Sequence, residues 1–217
     1  MAGFKTVSLA DQVFERLEND IITGVYLRGE ILTELKLVDQ LGVSRTPIRE
    51  ALRRLEQERL IQESGKGSVV LGITVGDLMD IMDIRQRIEG LAAWHATKNM
   101  TTEGLKKLHH ISKLQDFYYS NEDVEHLRQM DDQFHDTIYE LSGRTVIYDT
   151  LLPLHRKTMR YRKISIQDPE RLSHSVQEHK DIFQAIEAGN AELAAELVTK
   201  HIANAKESMI ARLKQNG

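Results

Sequence analysis

The stretch GVSRTPIREALRRL, from Gly42 to Leu55, decides how the first part of this chain folds. Gly42 suits a sharp bend between two short helices, and Pro47 is tolerated because it falls in the first turn of the second helix. Ser44 or Thr46 can cap that helix. Its cationic and apolar residues lie on opposite faces: Arg45, Arg49 and Arg53 against Ile48, Ala51, Leu52 and Leu55. This pattern predicts a recognition helix that enters the major groove of DNA.

The flanking segments favour DNA binding over the alternative, a helix whose arginines are only solvated. Three elements are predicted before the arginine helix: a helix at Leu9–Thr23, a strand at Ile31–Leu32, and a helix at Glu34–Leu41 capped by Thr33. After the arginine helix, two short apolar runs surround the Gly65-Lys66-Gly67 loop, which predicts a β-hairpin. This order is that of a winged helix-turn-helix, and Lys66 at the wing tip can reach phosphates.

Length and composition are typical of a globular protein with one or two domains. The chain has 217 residues, 41% of them hydrophobic, and a formal net charge of −4, which still allows a local basic face. The absence of cysteine excludes a disulfide framework and a thiolate metal site. The sequence has no apolar run of about 18 residues and no signal-peptide pattern, which favours a cytoplasmic protein without membrane contact.

All nine histidines lie between His95 and His201, which indicates two regions of different chemistry. We predict a DNA-binding domain over residues 1–75 and an effector-binding and dimerisation domain over residues 76–217. Caps and breakers divide the second region into six helices, at 77–99, 101–119, 122–141, 145–163, 168–188 and 190–214. The predicted fold class is therefore mainly α, a winged helix-turn-helix followed by an all-α antiparallel helical bundle.

Four side chains on three of these helices form a candidate metal site: Asp131, His135, His179 and His201. Asp131 and His135 are four residues apart and share a helix face. His179 lies 10 residues before Gly189 and His201 lies 12 after it, so an antiparallel hairpin brings both imidazoles to a similar height. Three nitrogens and one carboxylate oxygen suit zinc, nickel or another divalent transition metal. The alternative is that these histidines are ordinary surface or hydrogen-bonded residues.

The first region resembles the DNA-binding domain of the GntR family of bacterial transcription regulators. The similarity lies in LxxxLGVSRTPIREALRRLExExLI, starting at Leu37, and extends over about residues 8–72. It implies that five residues contact operator DNA: Ser44, Arg45, Thr46, Arg49 and Gly67. We add Lys66 on physical grounds. Glu50 and Arg54 are alternatively structural contacts, and Arg28-Gly29 stands where the family usually has Pro-Gly.

The second region resembles the helical effector domain of the fatty-acid-regulator (FCD) branch of that family. The similar segments are RQRIEGLAA at Arg85–Ala93, DDQFH at Asp131–His135 and EHKDIFQAIEAGNAELAAELVTKHI at Glu178–Ile202. The resemblance implies a divalent metal held by an Asp and three His, with a small carboxylate beside it. Other members lack the metal, and some bind acyl-CoA. Asp132 is three residues from His135 and is an alternative ligand, but resemblance to DxxFH favours Asp131.

Arg85 is the candidate clamp for the carboxylate of the effector, because arginine binds carboxylates bidentately and Arg85 lies in a matching segment. Arg160 and Arg162 are further candidates. An ion pair between Arg85 and Glu89 is the alternative interpretation. A purely structural metal that pins three helices together is another.

Together these features predict a repressor that binds double-stranded operator DNA as a homodimer and senses a small carboxylate at a divalent metal. Gly72–Gly76 is the predicted hinge. Two alternatives stay open: a regulator that senses the metal itself, and a metalloenzyme with a DNA-binding appendage. The sequence has no HExxH motif and no general base tied to the cluster, so we expect no enzymatic activity.

Overall fold

The computed structural model describes residues 8–159, 161 and 169–215. The chain divides into two compact units, Met1–Val75 and Gly76–Gly217. The first contains α1 Leu9–Ile22, β1 Ile31–Leu32, α2 Glu34–Leu41, α3 Arg45–Gln57, β2 Ile61–Ser64 and β3 Gly67–Val70. The helices of the second unit that lie wholly within the described residues are α4 Val75–Lys98, α5 Thr102–Ser120, α6 Val124–Leu141, α7 Thr145–Lys157, α8 Pro169–Glu187 and α9 Ala191–Gln215. The mainly α fold class predicted from the sequence is confirmed.

Local capping explains where the first helices begin. Ser8 Oγ accepts a hydrogen bond from the Asp11 amide at 3.1 Å, and the Asp11 carboxylate accepts one from the Ser8 amide at 3.2 Å. Thr33 caps α2 as predicted, and Gly42 ends that helix with a φ of 66°. Ser44 occupies the N-cap position of α3, but no described side chain forms a capping hydrogen bond there. The predicted side-chain cap of α3 is therefore absent from the described structure.

The core of the first unit lies mainly between α1 and α3. Their buried apolar residues are Ala10, Val13, Phe14, Leu17, Ile21 and Ile22 on α1, and Ile48, Ala51, Leu52 and Leu55 on α3. Arg54 joins the same helices, because its Nη1 lies 2.6 Å from Asp11 Oδ1 and its Cζ lies 3.9 Å from the centroid of the Phe14 ring. Arg54 thus has the structural role that the sequence left open.

The three strands form an antiparallel sheet with β3 between β1 and β2. Ser64 pairs with Gly67, which leaves Gly65 and Lys66 as the turn of the predicted hairpin. The Arg28-Gly29 turn is tied to the end of this sheet: Arg28 Nη1 donates to the Leu71 carbonyl at 2.7 Å and the Gly29 amide donates to the Val70 carbonyl at 2.8 Å. A side-chain hydrogen bond therefore holds the turn where the family usually has Pro-Gly.

Gly67 has a conformation and a position that a side chain would disturb. Its φ is 131°, and a Cβ atom there would lie 2.6 Å from the Leu32 carbonyl oxygen and 3.2 Å from Ile31 Cγ2. For Gly65, the other glycine of the turn, no described atom lies within 4 Å of such a Cβ, and its φ is outside the left-handed region. Glycine at position 67 is thus needed for the pairing of β1 with β3, independently of any contact with DNA.

We expect Gly67→Ala to lower the free energy of unfolding by more than about 1 kcal/mol, because the new methyl group clashes with β1 and the backbone is strained. Gly65→Ala is the matched control and should change it by less than about 0.5 kcal/mol. Urea unfolding of the full chain, followed by circular dichroism, measures both. Equal losses in the two variants would contradict the steric role of Gly67.

The helices of the second unit follow the predicted breakers, with three differences. α4 begins at Val75, two residues earlier than predicted, so the last two residues of the predicted hinge at Gly72–Gly76 are helical. Asp123 caps α6, and Glu122 has a φ of 56°, so this helix begins two residues later than predicted. α7 ends at Lys157 and not at 163, and residues 160, 162 and 163 of the predicted helix lie outside the described residues. α8 and α9 pack together across the turn at Gly189, whose φ is 70°. Among the described residues, no helix has both the length and the apolar content needed to cross a bilayer.

Candidate functional site

The N-terminal end of α3 presents the predicted DNA-contacting side chains at the surface. The exposed members of the set are Ser44, Arg45, Thr46, Arg49 and, on the hairpin turn, Lys66. Gly67 follows that turn and is half-buried. Because no described side chain caps α3, its first backbone N–H groups suit an anion such as a phosphate. This surface therefore combines guanidinium groups with a helix N-terminus.

Arg49 is paired with a carboxylate that the sequence analysis did not identify. Its Nε lies 2.7 Å from Oε1 of Glu34, the first residue of α2. The hydrogen bond from Arg49 lowers the pKa of the Glu34 carboxyl below its ordinary value. Glu50, for which the sequence left a structural contact open, is exposed. A phosphate or a guanine that binds Arg49 must therefore compete with Glu34.

In the second unit, three of the four predicted metal ligands meet at one point. His135 lies on α6, His179 on α8 and His201 on α9, and all three are at most 3% exposed. His201 Nε2 lies 3.2 Å from His135 Nε2 and 3.3 Å from His179 Nε2. Tetrahedral zinc with bonds of about 2.0–2.1 Å requires nitrogens about 3.3–3.4 Å apart. The donor atoms of the three-histidine cluster therefore have a spacing that fits a metal ion.

The two adjacent aspartates of α6 have different surroundings. Asp131 Oδ1 lies 3.5 Å from His179 Nε2, at the edge of the three-histidine cluster. Asp132 Oδ1 lies 3.6 Å from Nε2 of His155, and burial raises the pKa of Asp132. Asp131 is therefore the aspartate on the side of the cluster, although only the three histidines have donor atoms that all lie within 4.8 Å of one another.

Side chains around the cluster set the orientation of its imidazoles. His135 Nδ1 lies 3.1 Å from Glu89 Oε2, and His201 Nδ1 lies 2.6 Å from Glu178 Oε2. A carboxylate only accepts hydrogen bonds, so both Nδ1 atoms carry the proton and both Nε2 lone pairs face the cluster. His179 Nδ1 lies 2.9 Å from Nε2 of the Gln115 side chain, and a half-turn of this amide would let its oxygen accept from His179 Nδ1 instead. The orientation that a metal ion requires is therefore present at His135 and His201, and at His179 it needs that half-turn.

Sequence patterns alone do not place any of these three orienting residues in the site. The spacing of four residues predicts only that Glu89 pairs with Arg85. Glu178 directly precedes His179, yet its contact with His201 depends on how α8 and α9 pack. Gln115 lies on α5, which the resemblance did not connect to the metal ligands. Of the three, only Glu89 could have been found from the sequence, through its spacing of four residues from Arg85.

Arg85, predicted as the effector clamp, takes part in the ion pair that was its alternative interpretation. Its Nε lies 2.5 Å from Glu89 Oε1, and its Nη1 donates to Thr158 Oγ1 at 3.1 Å. Both charged side chains are buried. Burial by itself would raise the pKa of Glu89, but the Arg85 guanidinium and His135 bring this pKa well below its usual value. Arg160 and Arg162, the further clamp candidates, lie outside the described residues.

His155 is a buried histidine that lies next to the three-histidine cluster, a position that the sequence did not predict. Its ring centroid lies 5.2 Å from that of His135, and its Nδ1 lies 3.0 Å from Asp136 Oδ1. Burial lowers the pKa of His155, and the nearby Arg85 charge lowers it further. No sequence spacing relates α7 to α6, so the packing of these helices alone brings His155 here.

We expect Glu89→Leu to lower the free energy of unfolding by about 3–5 kcal/mol, because Arg85 remains buried without its counter-charge. Replacing both partners, Arg85→Met with Glu89→Leu, should recover most of that loss. The control is Glu140→Leu, which removes one partner of the exposed Lys107–Glu140 pair and should cost less than about 1 kcal/mol. Chemical denaturation of the full chain measures all three. An equally unstable double variant would show that charge burial is not the cause.

Both units match known families. Residues 9–70 match the family described as bacterial regulatory proteins, gntR family, and residues 80–204 match the FCD domain. The HTH-type transcriptional repressor RspR of Escherichia coli K12 is 26% identical over 208 residues, which cover 94% of this chain and 90% of that protein. The gluconate operon transcriptional repressor of Bacillus licheniformis is 29% identical over 181 residues, which cover 80% and 73%.

Solved structures share the fold of the whole chain. Escherichia coli McbR/YncC has a TM-score of 0.80 at 22% identity, with 98% of this chain and 100% of that chain covered. A putative transcriptional regulator GntR from Rhodococcus sp. RHA1 has a TM-score of 0.71 at 22% identity, with 93% and 97% covered. At this identity the comparison supports the fold and not the ligand.

Proposed function

Since this chain belongs to the GntR family of bacterial transcription regulators and carries an FCD domain over residues 80–204, we propose that it is a repressor controlled by a small carboxylate held at a divalent metal ion. Its relatives are DNA-binding transcription regulators and not enzymes, so the metalloenzyme alternative is set aside. The observation that carries the sensory part of the proposal is the convergence of three buried imidazole Nε2 atoms.

DNA binding is assigned to residues 1–75, and effector binding and dimerisation to residues 76–217. Six residues are proposed to contact the operator: Ser44, Arg45, Thr46, Arg49, Lys66 and Gly67. The exposure of the five side chains and the uncapped start of α3 support this assignment. The Glu34 carboxylate would hold Arg49 in place until a guanine or a phosphate replaces it.

We expect Arg49→Ala to weaken operator binding and to relax base preference, because a bidentate contact to a base is lost. Arg16→Ala is the matched control, since Arg16 is an exposed arginine of the same unit paired with Asp20 at 2.8 Å. Selection of binding sites from random duplexes, followed by titration on the selected site, measures both properties. An unchanged affinity and an unchanged sequence logo for Arg49→Ala would refute its role.

Asp131, His135, His179 and His201 are proposed to hold the metal, with zinc or nickel as the candidates. Neutral imidazoles with Nε2 turned inward are the usual ligands of these ions. When bound, a divalent ion would offer a positive charge that a carboxylate can ligate. Arg85 keeps Glu89 charged and thereby orients His135, so we retain it as a positioning residue of the effector site.

We expect His179→Ala to lower the metal content of the purified protein, because one of three converging nitrogens is removed. His110→Ala is the control, since His110 is an exposed histidine on α5. Elemental analysis after dialysis against zinc or nickel gives the occupancy of each variant. Full occupancy in His179→Ala would count against the site.

A regulator that senses the metal itself is the second candidate, because the three converging donor atoms of the cluster all come from protein side chains. Operator-binding assays separate the two candidates. Metal is titrated first without any organic acid and then with a panel of small carboxylates. A change in DNA affinity caused by metal alone supports metal sensing, and a change that needs the acid supports the first candidate.

We propose a homodimer as the active form, since two copies of α3 can then read two half-sites of an operator. The second unit offers an apolar surface for this purpose. Ile84 and Leu91 on α4 are 41% and 49% exposed, and their spacing of seven residues puts them on one helix face. Covering them in a dimer would remove apolar surface from water.

A further inference from the structure

A small cavity lies directly beside the three-histidine cluster. Polar groups of its wall come from Gln115, Arg128, Asp131, Ser175 and His179, and the other lining residues are apolar. Its volume is about 20 Å³, which is room for one water molecule. The polar groups are thus in place, but an organic acid needs more space than this state provides.

A much larger groove opens next to this cavity. It has a volume of about 790 Å³ and lies where α5 ends and where α6 and α8 begin. Tyr118, Tyr119 and Val124 form part of its wall. Leu127 and Leu172 line both the groove and the small cavity, so these two leucines separate them. Displacing one leucine side chain would join the two spaces into a single site.

Arg128, which lines the small cavity, has a buried Nε donor that is not used by a hydrogen bond among the described residues. Arg128 Nη2 lies 2.6 Å from Glu125 Oε1, whereas its Nε is buried and has no hydrogen-bond partner among the described residues. A buried donor without a partner is unfavourable, and a carboxylate would satisfy it with a charge-assisted hydrogen bond. Since Arg128 and His179 line the same cavity, Arg128 can act on an anion that binds there.

The outer groove has a wall suited to an apolar or aromatic body. The Tyr118 ring stacks on His126 with centroids 5.0 Å apart, and His126 Nδ1 lies 2.7 Å from Asp123 Oδ2. The tyrosine ring is thereby held in place. Val124 is 43% exposed and Tyr119 is 38% exposed, so both offer apolar surface that a ligand could cover.

We propose that the groove and the cavity form one site for a carboxylic acid with an aromatic or extended apolar body. The carboxylate lies at the inner end, between Arg128 and the three-histidine cluster, and the body lies in the groove against Tyr118, Tyr119 and Val124. This proposal rests on the proposed function, because it names the class of effector for the same site. It excludes short hydroxy acids and sugar acids as the preferred ligands.

The first test compares two probes on the zinc-loaded full chain by isothermal titration calorimetry. We expect 3-phenylpropionate to bind at least tenfold more tightly than acetate, since only the longer acid buries a ring in the groove. The uncharged 3-phenylpropionamide should bind at least tenfold more weakly than 3-phenylpropionate, because the inner end is cationic. Equal affinities of acetate and 3-phenylpropionate would overturn the proposal.

Variants locate the two ends of the ligand. Val124→Glu should weaken 3-phenylpropionate at least tenfold and leave acetate unchanged, whereas Val146→Glu, on an exposed valine in the first turn of α7, should alter neither. Arg128→Gln should weaken both acids, with Arg87→Gln as the control for loss of one charge from the same unit. Circular dichroism checks that each variant is folded. Unaltered binding of 3-phenylpropionate to Val124→Glu or Arg128→Gln would overturn the proposal.

The outcomes also separate this proposal from the function on which it rests. If acetate binds and the longer acid gains nothing, the groove is not part of the site, while carboxylate binding at the metal stands. If neither acid binds to protein whose metal content is full, both the carboxylate effector and this assignment fail.

Discussion

The second unit depends on the contacts that the buried Glu89 carboxylate makes with Arg85 and His135. This carboxylate lies 2.5 Å from Arg85 Nε and 3.1 Å from His135 Nδ1, so one anion serves a cation and an imidazole. A charge removed from water is tolerated only when it is paired and hydrogen-bonded. Because Glu89 must keep both partners, His135 has one orientation, and its Nε2 faces inward. The three-histidine cluster then follows from how α6, α8 and α9 pack.

Charged groups serve opposite purposes in the two units. In the first, the Arg49–Glu34 pair is exposed, and solvent and salt weaken such a pair, so another anion can replace the carboxylate at little cost. In the second, Arg85 and Glu89 are shielded from water and cannot exchange partners without leaving a charge buried. Exposed pairs therefore suit reversible recognition, and buried pairs suit a rigid support for the three-histidine cluster.

The resemblance to metal-binding members and the structure agree on the histidines but differ on the arginine. Arg85 matches the family segment, yet its guanidinium is occupied by Glu89 and Thr158. Arg128 matches no segment used in the sequence analysis, yet it lines the cavity beside His179 and has a buried Nε without a described partner. A side chain in a recognised motif can thus serve to position other residues of the proposed site, while a residue outside any such motif lines the cavity itself.

Local sequence determined the helices, their caps, the hairpin at Gly65-Lys66 and the mainly α fold class, because helical periodicity, capping and turn chemistry act over a few residues. It also singled out the histidines that meet, since four-residue spacing and distances from Gly189 translate directly into helix geometry. Only the tertiary structure decided that Glu34 pairs with Arg49. It also decided that Glu178 and Gln115 contact the imidazoles of the three-histidine cluster. The places of His155 and Arg128 beside that cluster likewise depend on helix packing. Those contacts join side chains on different elements, and sequence spacing carries no information about which faces of separate helices will pack together.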